Sequence, residues 1–481
     1  MGIDVEVVER CEISPPAARE SEEEEEEEEV AVELSMMDIP WLFFSPTQPL
    51  FLYSYPDSLS HFTSFALPLL KLSLSRSLLL SFPLSSRLHF HPHPQTPTPT
   101  PTPFFPSSSA PPPPSPSPNA ALFHPLVPSL PPISSSSSTA PVPLFAAQVT
   151  VFPGSGLCLG LACHHVAADA RTFNLFLKSW ASLCRQLSSP APPHPRLRGF
   201  FSTPPYYDRT VLRDPRGLLH RFLFEWWNYK WPAPPTSPLH HTVGFPDMFR
   251  TTFVVDTTDM DGIRKRILSR CNSRNLSHPP HLSPYVLTCA FLWVVWVKAH
   301  FSLRAHDSPE PTAHRGPVYF GFIAGGLTRL GYPVPASYFG NCVGFGRAEA
   351  TVHDLVGEDG IVVAANALGS TVKRLDKDLF AEAERWISDW RAFSESELHV
   401  TVAGSPKVDL YDTDFGWGRP RKIEDISIDK SRAISLHESR DVNGGIEVGV
   451  ALPKPKMDAF TSLYTADLKV MKQMTLPNPN S

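Results

Sequence analysis

The sequence predicts a mixed α/β fold in two halves, and three observations carry that prediction. Strand-like and helix-like patterns alternate along both halves, which favours sheets covered by helices. A Pro-rich stretch from Ser189 to Pro205 reads as a linker between them. The length of 481 residues, with 42% hydrophobic and 11% aromatic content, is enough for two large domains with sizeable cores.

Taken in order, Val5 to Glu9 is a strand candidate. The run Glu22 to Glu29 then reads as a self-repelling, solvated loop. It supplies −8 of a net charge of −6, so the rest of the chain sums to +2 and offers no polybasic surface for nucleic acid. The apolar stretch Ile39 to Pro56 is broken by Pro40, Pro46, Pro49 and Pro56, so it does not read as a membrane span. Phe65, Leu69, Leu72, Leu79 and Leu80 keep roughly helical spacing, which predicts a helix from near Pro68 with that face inward. Prolines number 54, concentrated between Pro92 and Pro143. The TPTPTPTP and PPPPSPSP runs of Pro92 to Pro118 lack ladder N–H groups, so low-complexity, extended chain is expected over 20–30 and 92–143.

Order returns at Leu144. Phe145 to Phe152, the turn Pro153-Gly154-Ser155-Gly156 and Leu157 to Cys163 read as a hairpin whose second strand is buried on both faces. Phe173, Phe176, Leu177, Trp180 and Cys184 then mark the inner face of an amphipathic helix. In the second half, Thr251 to Val255 is a strand, followed by a helix from near Asp259 to Asp261. Ser283 is an N-cap and Pro284 a first-turn residue opening the apolar helix Tyr285 to Ala299. Ala364 to Trp390 has helical periodicity, and Asn443-Gly444-Gly445 joins two strands as a hairpin turn.

Seven cysteines without a CxxC pair argue against a disulfide framework or a structural zinc site. His89, His91 and His93 alternate with Phe and Pro and have no supporting shell for a metal. The start MGIDVEVVERCE lacks a signal-peptide layout, so a soluble, cytoplasmic protein is expected.

Two short patterns can carry chemistry. HHVAADA, His164 to Ala170, sits at a strand-to-helix junction, where an imidazole that titrates near neutrality can take a proton from a hydroxyl. DFGWG, Asp414 to Gly418, flanks an indole with glycines that allow close backbone approach, and an indole N–H can face a developing oxyanion.

Together these patterns resemble the BAHD family of plant acyl-CoA-dependent acyltransferases, as do DIPWLFFSPTQPLFLYSYP from Asp38, HPLVPSLPP from His124, QVTVFPGSGLCLG from Gln148 and ESRDVNGGIEVGVALPKPKM from Glu438. YFGNC at Tyr338 to Cys342 points within the family to the anthocyanin and flavonoid-glycoside acyltransferases, many of which use malonyl-CoA. A peptide-synthetase condensation domain also carries HHxxxD but lacks DFGWG. The resemblance implies an α/β fold of two chloramphenicol-acetyltransferase-like domains with mixed sheets and a solvent channel between them. The expected domains are 1–188 with HxxxD, a crossover linker 189–225, and 226–481 with YFGNC and DFGWG.

It further implies a monomeric, metal-free enzyme that uses acyl-CoA as co-substrate in a ternary complex, with a phenolic glycoside as acceptor and no nucleic-acid or membrane partner. His165 is the implied general base, with His164 behind it. Asp169 is expected to pair with Arg329 and fix the loop. Trp417 is the expected oxyanion donor, with Asp414, Gly416 and Gly418 shaping its turn, and Arg171 the expected partner of a malonyl carboxylate. The alternatives are an aromatic acyl donor such as hydroxycinnamoyl-CoA, or a noncatalytic paralogue, because Leu88 to Asn119 occupies ground where the family has strands that a Pro/Ser repeat is not expected to replace.

Overall fold

A computed structural model describes residues 5–16, 31–89, 99–101, 104–109, 120–133, 141–188, 204–229, 248–307 and 316–473. The glutamate run, His91, His93 and most of the Pro-rich stretches lie outside them. Two six-stranded mixed sheets dominate. The first has the order β1 (Glu6–Glu12), β5 (Phe104–Ser109), β7 (Phe145–Phe152), β8 (Gly156–Cys163), β2 (Pro49–Ser54) and β13 (Lys422–Asp425). The second runs β11 (Val343–Thr351), β10 (Pro317–Gly325), β12 (Val400–Ala403), β14 (Ile434–Glu438), β15 (Ile446–Pro453) and β9 (Met248–Val255). A small third sheet holds β4 (Pro99–Pro101), β3 (Ser86–Leu88) and β6 (Val142–Pro143).

The hairpin β7–β8 is as expected, and both strands are wholly buried. Gly160, in the middle of β8, lets the chain at Leu126 and Val127 lie directly against the sheet: a Cβ there would sit 2.1 Å from the Leu126 carbonyl oxygen. Helix α4 (Ala170–Ser188) returns along the first sheet with Phe176, Leu177, Trp180 and Cys184 inward. It packs on α2 (Leu67–Leu79), where the Trp180 indole donates to the Leu70 carbonyl at 3.1 Å.

Around the second sheet lie α6 (Thr257–Arg274), α7 (Pro284–Asp307), α8 (Val352–Val356), α9 (Gly360–Lys377) and α12 (Lys454–Gln473), with the short α11 (Ile428–Ser431) against β15. Asp256 and Asp259 close a capping box at the start of α6, and the Ser283 hydroxyl accepts from the Val286 N–H at the start of α7. Among the described residues α7 alone is long and apolar enough to cross a membrane, and 78% of its apolar window is buried in the fold.

Four expectations are corrected. The face assigned to the helix near Pro68 is wrong. Phe65, Leu72 and Leu79 are exposed, while Leu67, Leu70, Leu74 and Leu78 point inward. The short α1 (Leu59–His61) runs through a π-helical turn, Phe62–Ala66, before α2, and this offsets the periodicity read across it. The short α3 (Phe82–Ser85) then ends this region.

Second, the Pro/Ser segment does supply strands. Phe104–Ser109 carries one proline and lies between β1, antiparallel to it, and β7, parallel to it. Residues 120–133 of the expected low-complexity stretch also pack, with Leu126, Val127 and Ile133 buried. Third, Ala364 to Trp390 is two helices, α9 and then α10 (Trp386–Glu395), divided by a turn at residues 378–385. Fourth, the linker end expected at residue 225 falls inside a continuous helix, α5 (Leu218–Tyr229).

The two large sheets are tied edge to edge. Buried Arg250 on β9 pairs with Glu424 on β13 at 3.0 Å and with Asp429 on α11. Deleting residues 92–118 removes β4 and β5 and leaves β1 and an edge of β7 unpaired. The deletion variant is therefore expected to unfold at a clearly lower temperature and to be cut faster in limited proteolysis; an unchanged midpoint would contradict this strand order.

Candidate active site

His165 lies on the loop that joins β8 to α4. The loop is short and tightly bonded: the His164 N–H donates to Leu144 O at 2.9 Å and the Ala167 N–H to His164 O at 3.0 Å. Asp169 ends it as the cap of α4. Its Oδ1 accepts from the Thr172 N–H at 2.8 Å, and its Oδ2 accepts from the Cys342 N–H at 3.0 Å. The carboxylate is 3% exposed, so these two backbone donors replace its hydration.

The second contact reaches the segment Tyr338 to Cys342, which wraps the loop. Gly340 O accepts from Thr172 Oγ1 at 2.9 Å. Asn341 Nδ2 donates to His165 O at 2.9 Å and to Val166 O at 3.2 Å, and also to Asp38 Oδ1 at 2.9 Å. Asp38 is fully buried. It accepts from the Asn341 N–H as well, while its other oxygen accepts from the Ser35 N–H and hydroxyl and faces Arg209 at 3.7 Å. Gly340 has φ +142°, and a Cβ there would collide with the Arg209 guanidinium at 2.5 Å. Asp38, Arg209 and Asn341 therefore belong to the site, yet no role was assigned to them from sequence. The signal was present: a carboxylate embedded in the apolar string around DIPW must be buried and must find partners.

The His165 ring stacks on Trp41, with centroids 4.2 Å apart and planes 23° apart. Trp41 meets Phe44 and Trp390 edge-on at 5.3 and 5.6 Å, and Trp390 lies 4.1 Å from Phe345, so one side of the imidazole is an aromatic wall. Burial holds the His165 imidazole below its ordinary value, against the opposing pull of the Asp169 and Asp38 charges. The ring is thus neutral, and able to accept a proton, at neutral pH. His164 points away into the core, where its Nε2 donates to Pro131 O at 3.0 Å, and burial pushes it down to about 4.

Three expected assignments are corrected. Arg329 does not pair with Asp169; its guanidinium bonds Asp376 at 3.0 Å and Gly325 O at 2.8 Å. Arg171 directs its guanidinium to the carbonyls of Ala336 at 2.7 Å and Tyr338 at 2.6 Å, so it straps α4 to the wrapping segment instead of facing an acyl carboxylate.

Trp417 is not beside His165. Its ring stacks on Phe415 and meets Tyr53 edge-on, and Phe415 in turn packs on Trp180 of α4. Asp414 holds the turn by accepting from the Gly416 and Gly418 N–H groups at 2.8 and 2.9 Å, and pairs at 3.4 Å with Arg185 near the end of α4. The two glycines have φ +104° and +83°, which an L side chain resists. Asp169 and Arg185 are separated by about 24 Å of helix at 1.5 Å per residue. DFGWG therefore buttresses the far end of α4, away from His165. Among the described residues no group of three His, Cys, Asp or Glu could hold a metal.

A family model described as the Transferase family matches residues 116–466. The chain is 31% identical to coumaroyl-CoA:anthocyanidin 3-O-glucoside-6''-O-coumaroyltransferase 2 of Arabidopsis thaliana, over 96% of this chain and 97% of that one. It is 30% identical to malonyl-coenzyme:anthocyanin 5-O-glucoside-6'''-O-malonyltransferase of Salvia splendens, over 96% and 95%. Among solved structures it is similar to vinorine synthase, with a TM-score of 0.65 at 16% identity, covering 96% of this chain and 98% of that one. At that identity the likeness speaks for the fold, two chloramphenicol-acetyltransferase-like domains.

Asp169→Asn turns one acceptor into a donor that faces a backbone N–H, and is expected to cost about 2 to 3 kcal/mol. Activity and unfolding midpoint should fall together; a large rate loss at an unchanged midpoint would mean that Asp169 acts directly in the chemistry. The depressed His164 gives a pH test as well. Above its unfolded value of 6.5 both states are neutral and it contributes nothing; as pH falls from there toward about 4, only the unfolded state takes the proton, so folding stability is lost. That window is worth about 3 kcal/mol. Urea unfolding between pH 7 and 4 should show a shallower loss in His164→Gln, which keeps a donor for Pro131 O.

Proposed function

Because the chain belongs to the BAHD transferase family of acyl-CoA-dependent acyltransferases, we propose that it moves an acyl group from a CoA thioester to a hydroxyl of a phenolic glycoside, with His165 as general base. The observation that carries this reading is the half-buried, neutral imidazole of His165, held at a strand-to-helix junction by its own backbone. In the step it supports, the acceptor hydroxyl gives its proton to the imidazole as the oxygen attacks the thioester carbon. The tetrahedral adduct then collapses, the C–S bond breaks, and the CoA sulfur takes the proton back. One base serves both directions only if donor and acceptor are bound together, so the reading includes a ternary complex. It also includes a monomer working in the cytoplasm.

For the acyl donor we favour an aromatic group of the hydroxycinnamoyl kind. The malonyl donor expected from the sequence rests on Arg171 and on YFGNC. Arg171 is bonded to two backbone carbonyls, and YFGNC contacts the loop backbone, so neither speaks for a carboxylate. Beside the buried Trp41 and Phe345, the partly exposed rings of Phe44 and Trp390 suit a planar ring. The relatives include both coumaroyl and malonyl enzymes.

Purified protein should be assayed with p-coumaroyl-, malonyl- and acetyl-CoA against an anthocyanidin 3-O-glucoside. The expected order of kcat/KM places p-coumaroyl first, and His165→Ala is expected to lower every rate by about 10² to 10⁴. Full activity in that variant would sink the base assignment. In Arg171→Ala all donors should lose alike; a selective loss of malonyl over acetyl would restore Arg171 as a selector.

A further inference from the structure

A general base must be aimed as well as neutral, and in many enzymes a carboxylate does the aiming by accepting from the second ring nitrogen. Neither carboxylate near His165 is hydrogen-bonded to its ring. Both oxygens of Asp169 are bonded to backbone N–H groups, and those of Asp38 to Asn341 and Ser35. His165 Nδ1 is buried without a hydrogen-bond partner among the described residues. Asn341 Nδ2 donates to the carbonyl of His165 and so fixes its backbone, while its side chain also favours the protonated ring. The remaining strong contact is the face of Trp41.

We propose that Trp41 is the positioning residue of the base, its indole plane holding the His165 imidazole in the orientation that receives the acceptor's proton. The inference rests on the reading of His165 as base. Trp41 is well built for the task. It closes the 3-10 turn Ile39–Trp41, whose Pro40 presets the backbone. Its backbone N–H donates to Asp38 O at 3.1 Å, and the turn is anchored from outside by the Trp226 indole donating to Ile39 O at 2.9 Å. Trp41 is 4% exposed and is braced at its edge by Phe44 and Trp390, which meet each other at 5.0 Å. Its ring therefore cannot turn without disturbing its aromatic neighbours, and the imidazole inherits that rigidity. Asp38 makes the coupling tight. The same residue that starts the turn carrying Trp41 binds the side chain of Asn341 that grips His165, so backbone and ring of the base are referred to one point.

The stack also keeps water from one face of the imidazole, and so acts in the same direction as the burial that weakens its affinity for protons. The ionisable groups turned toward His165 are Asp169 and Asp38, and both favour the protonated ring, so loss of the indole weakens the burial that opposes them.

The test compares Trp41→Leu and Trp41→Phe with the parent, by kcat and KM across pH 5 to 9 with p-coumaroyl-CoA, and by NMR titration of the His165 Cε1–H, identified by its disappearance in His165→Ala. In Trp41→Leu we expect kcat to fall about 10- to 100-fold, as for a misplaced catalytic group. KM should stay within about twofold, and the acid limb of kcat/KM should move to higher pH, toward the ordinary imidazole value. Trp41→Phe, which keeps a face for the stack, should recover most of the rate and the position of the limb. A raised KM with unchanged kcat and limb would make Trp41 a wall of the substrate pocket and overturn the proposal. So would a rate loss as large in Phe as in Leu.

Should the Leu variant not fold, Trp41→Phe decides alone. The smaller ring current is expected to shift the Cε1–H resonance downfield, and an unmoved resonance overturns the stack. If instead His165→Ala stays active, the base reading falls, while resonance and titration still judge the stack by themselves.

Discussion

Two buried carboxylates, Asp38 and Asp169, bind adjacent residues of one five-residue segment, and the site is held together by those bonds. Asp169 belongs to the first half of the fold and takes the N–H of Cys342; Asp38, also of the first half, takes the N–H and side-chain amide of Asn341. A buried carboxylate is costly unless its lone pairs are matched, and here Thr172 and Ser35 of the first half supply part of the matching and Asn341 and Cys342 of the second half supply the rest. The second half therefore completes the partners of two groups that the first half buries. Docking of the halves and assembly of the site are one event, and the crossover chain joins in: Tyr206 exchanges backbone hydrogen bonds with Ser337 and Phe339, alongside the same segment.

Local features of this fold were legible in the sequence because they obey local rules. The β7–β8 hairpin, the inner face of α4, the cap of α7 and the Asn443-Gly444-Gly445 turn each depend on a few adjacent residues. Where the reading failed, a non-local or irregular feature intervened. The π-helical turn ahead of α2 rotates the buried stripe, so that Ser73 and Ser77 lie inside while Phe65 and Leu72 lie outside. The strand at Phe104–Ser109 could not be read from a segment whose composition argues against strands, since its partners β1 and β7 are distant in sequence.

The site was legible at its centre and illegible at its edges. HHVAADA marked the imidazole proposed as base, because the chemistry of an imidazole at the end of a buried strand is local. DFGWG misled for the opposite reason. An indole between two glycines looks like a donor on a pliant loop, but Asp414 locks that loop and the rings of Tyr53 and Phe415 cover the indole. Arg329 and Arg171 misled in a third way: nothing in a sequence says which carbonyl or carboxylate an arginine will find. Asn341 lies hundreds of residues from Asp38 and Trp41, and their convergence is a property of the docked halves alone.

The position of β13 sets the order in which this molecule can be made. It lies late in the chain, at Lys422–Asp425, yet it completes the first sheet by pairing with β2 at Pro49–Ser54. As the chain leaves the ribosome, strands β2, β7 and β8 can associate long before β13 has been synthesised, and the open edge of β2 then stays bare from Cys163 to Lys422. Such an edge invites pairing with a neighbouring nascent chain. Pairing between such distant segments also makes closure slow once the strand arrives. A fragment ending before residue 422 therefore keeps an open sheet however well its core is packed.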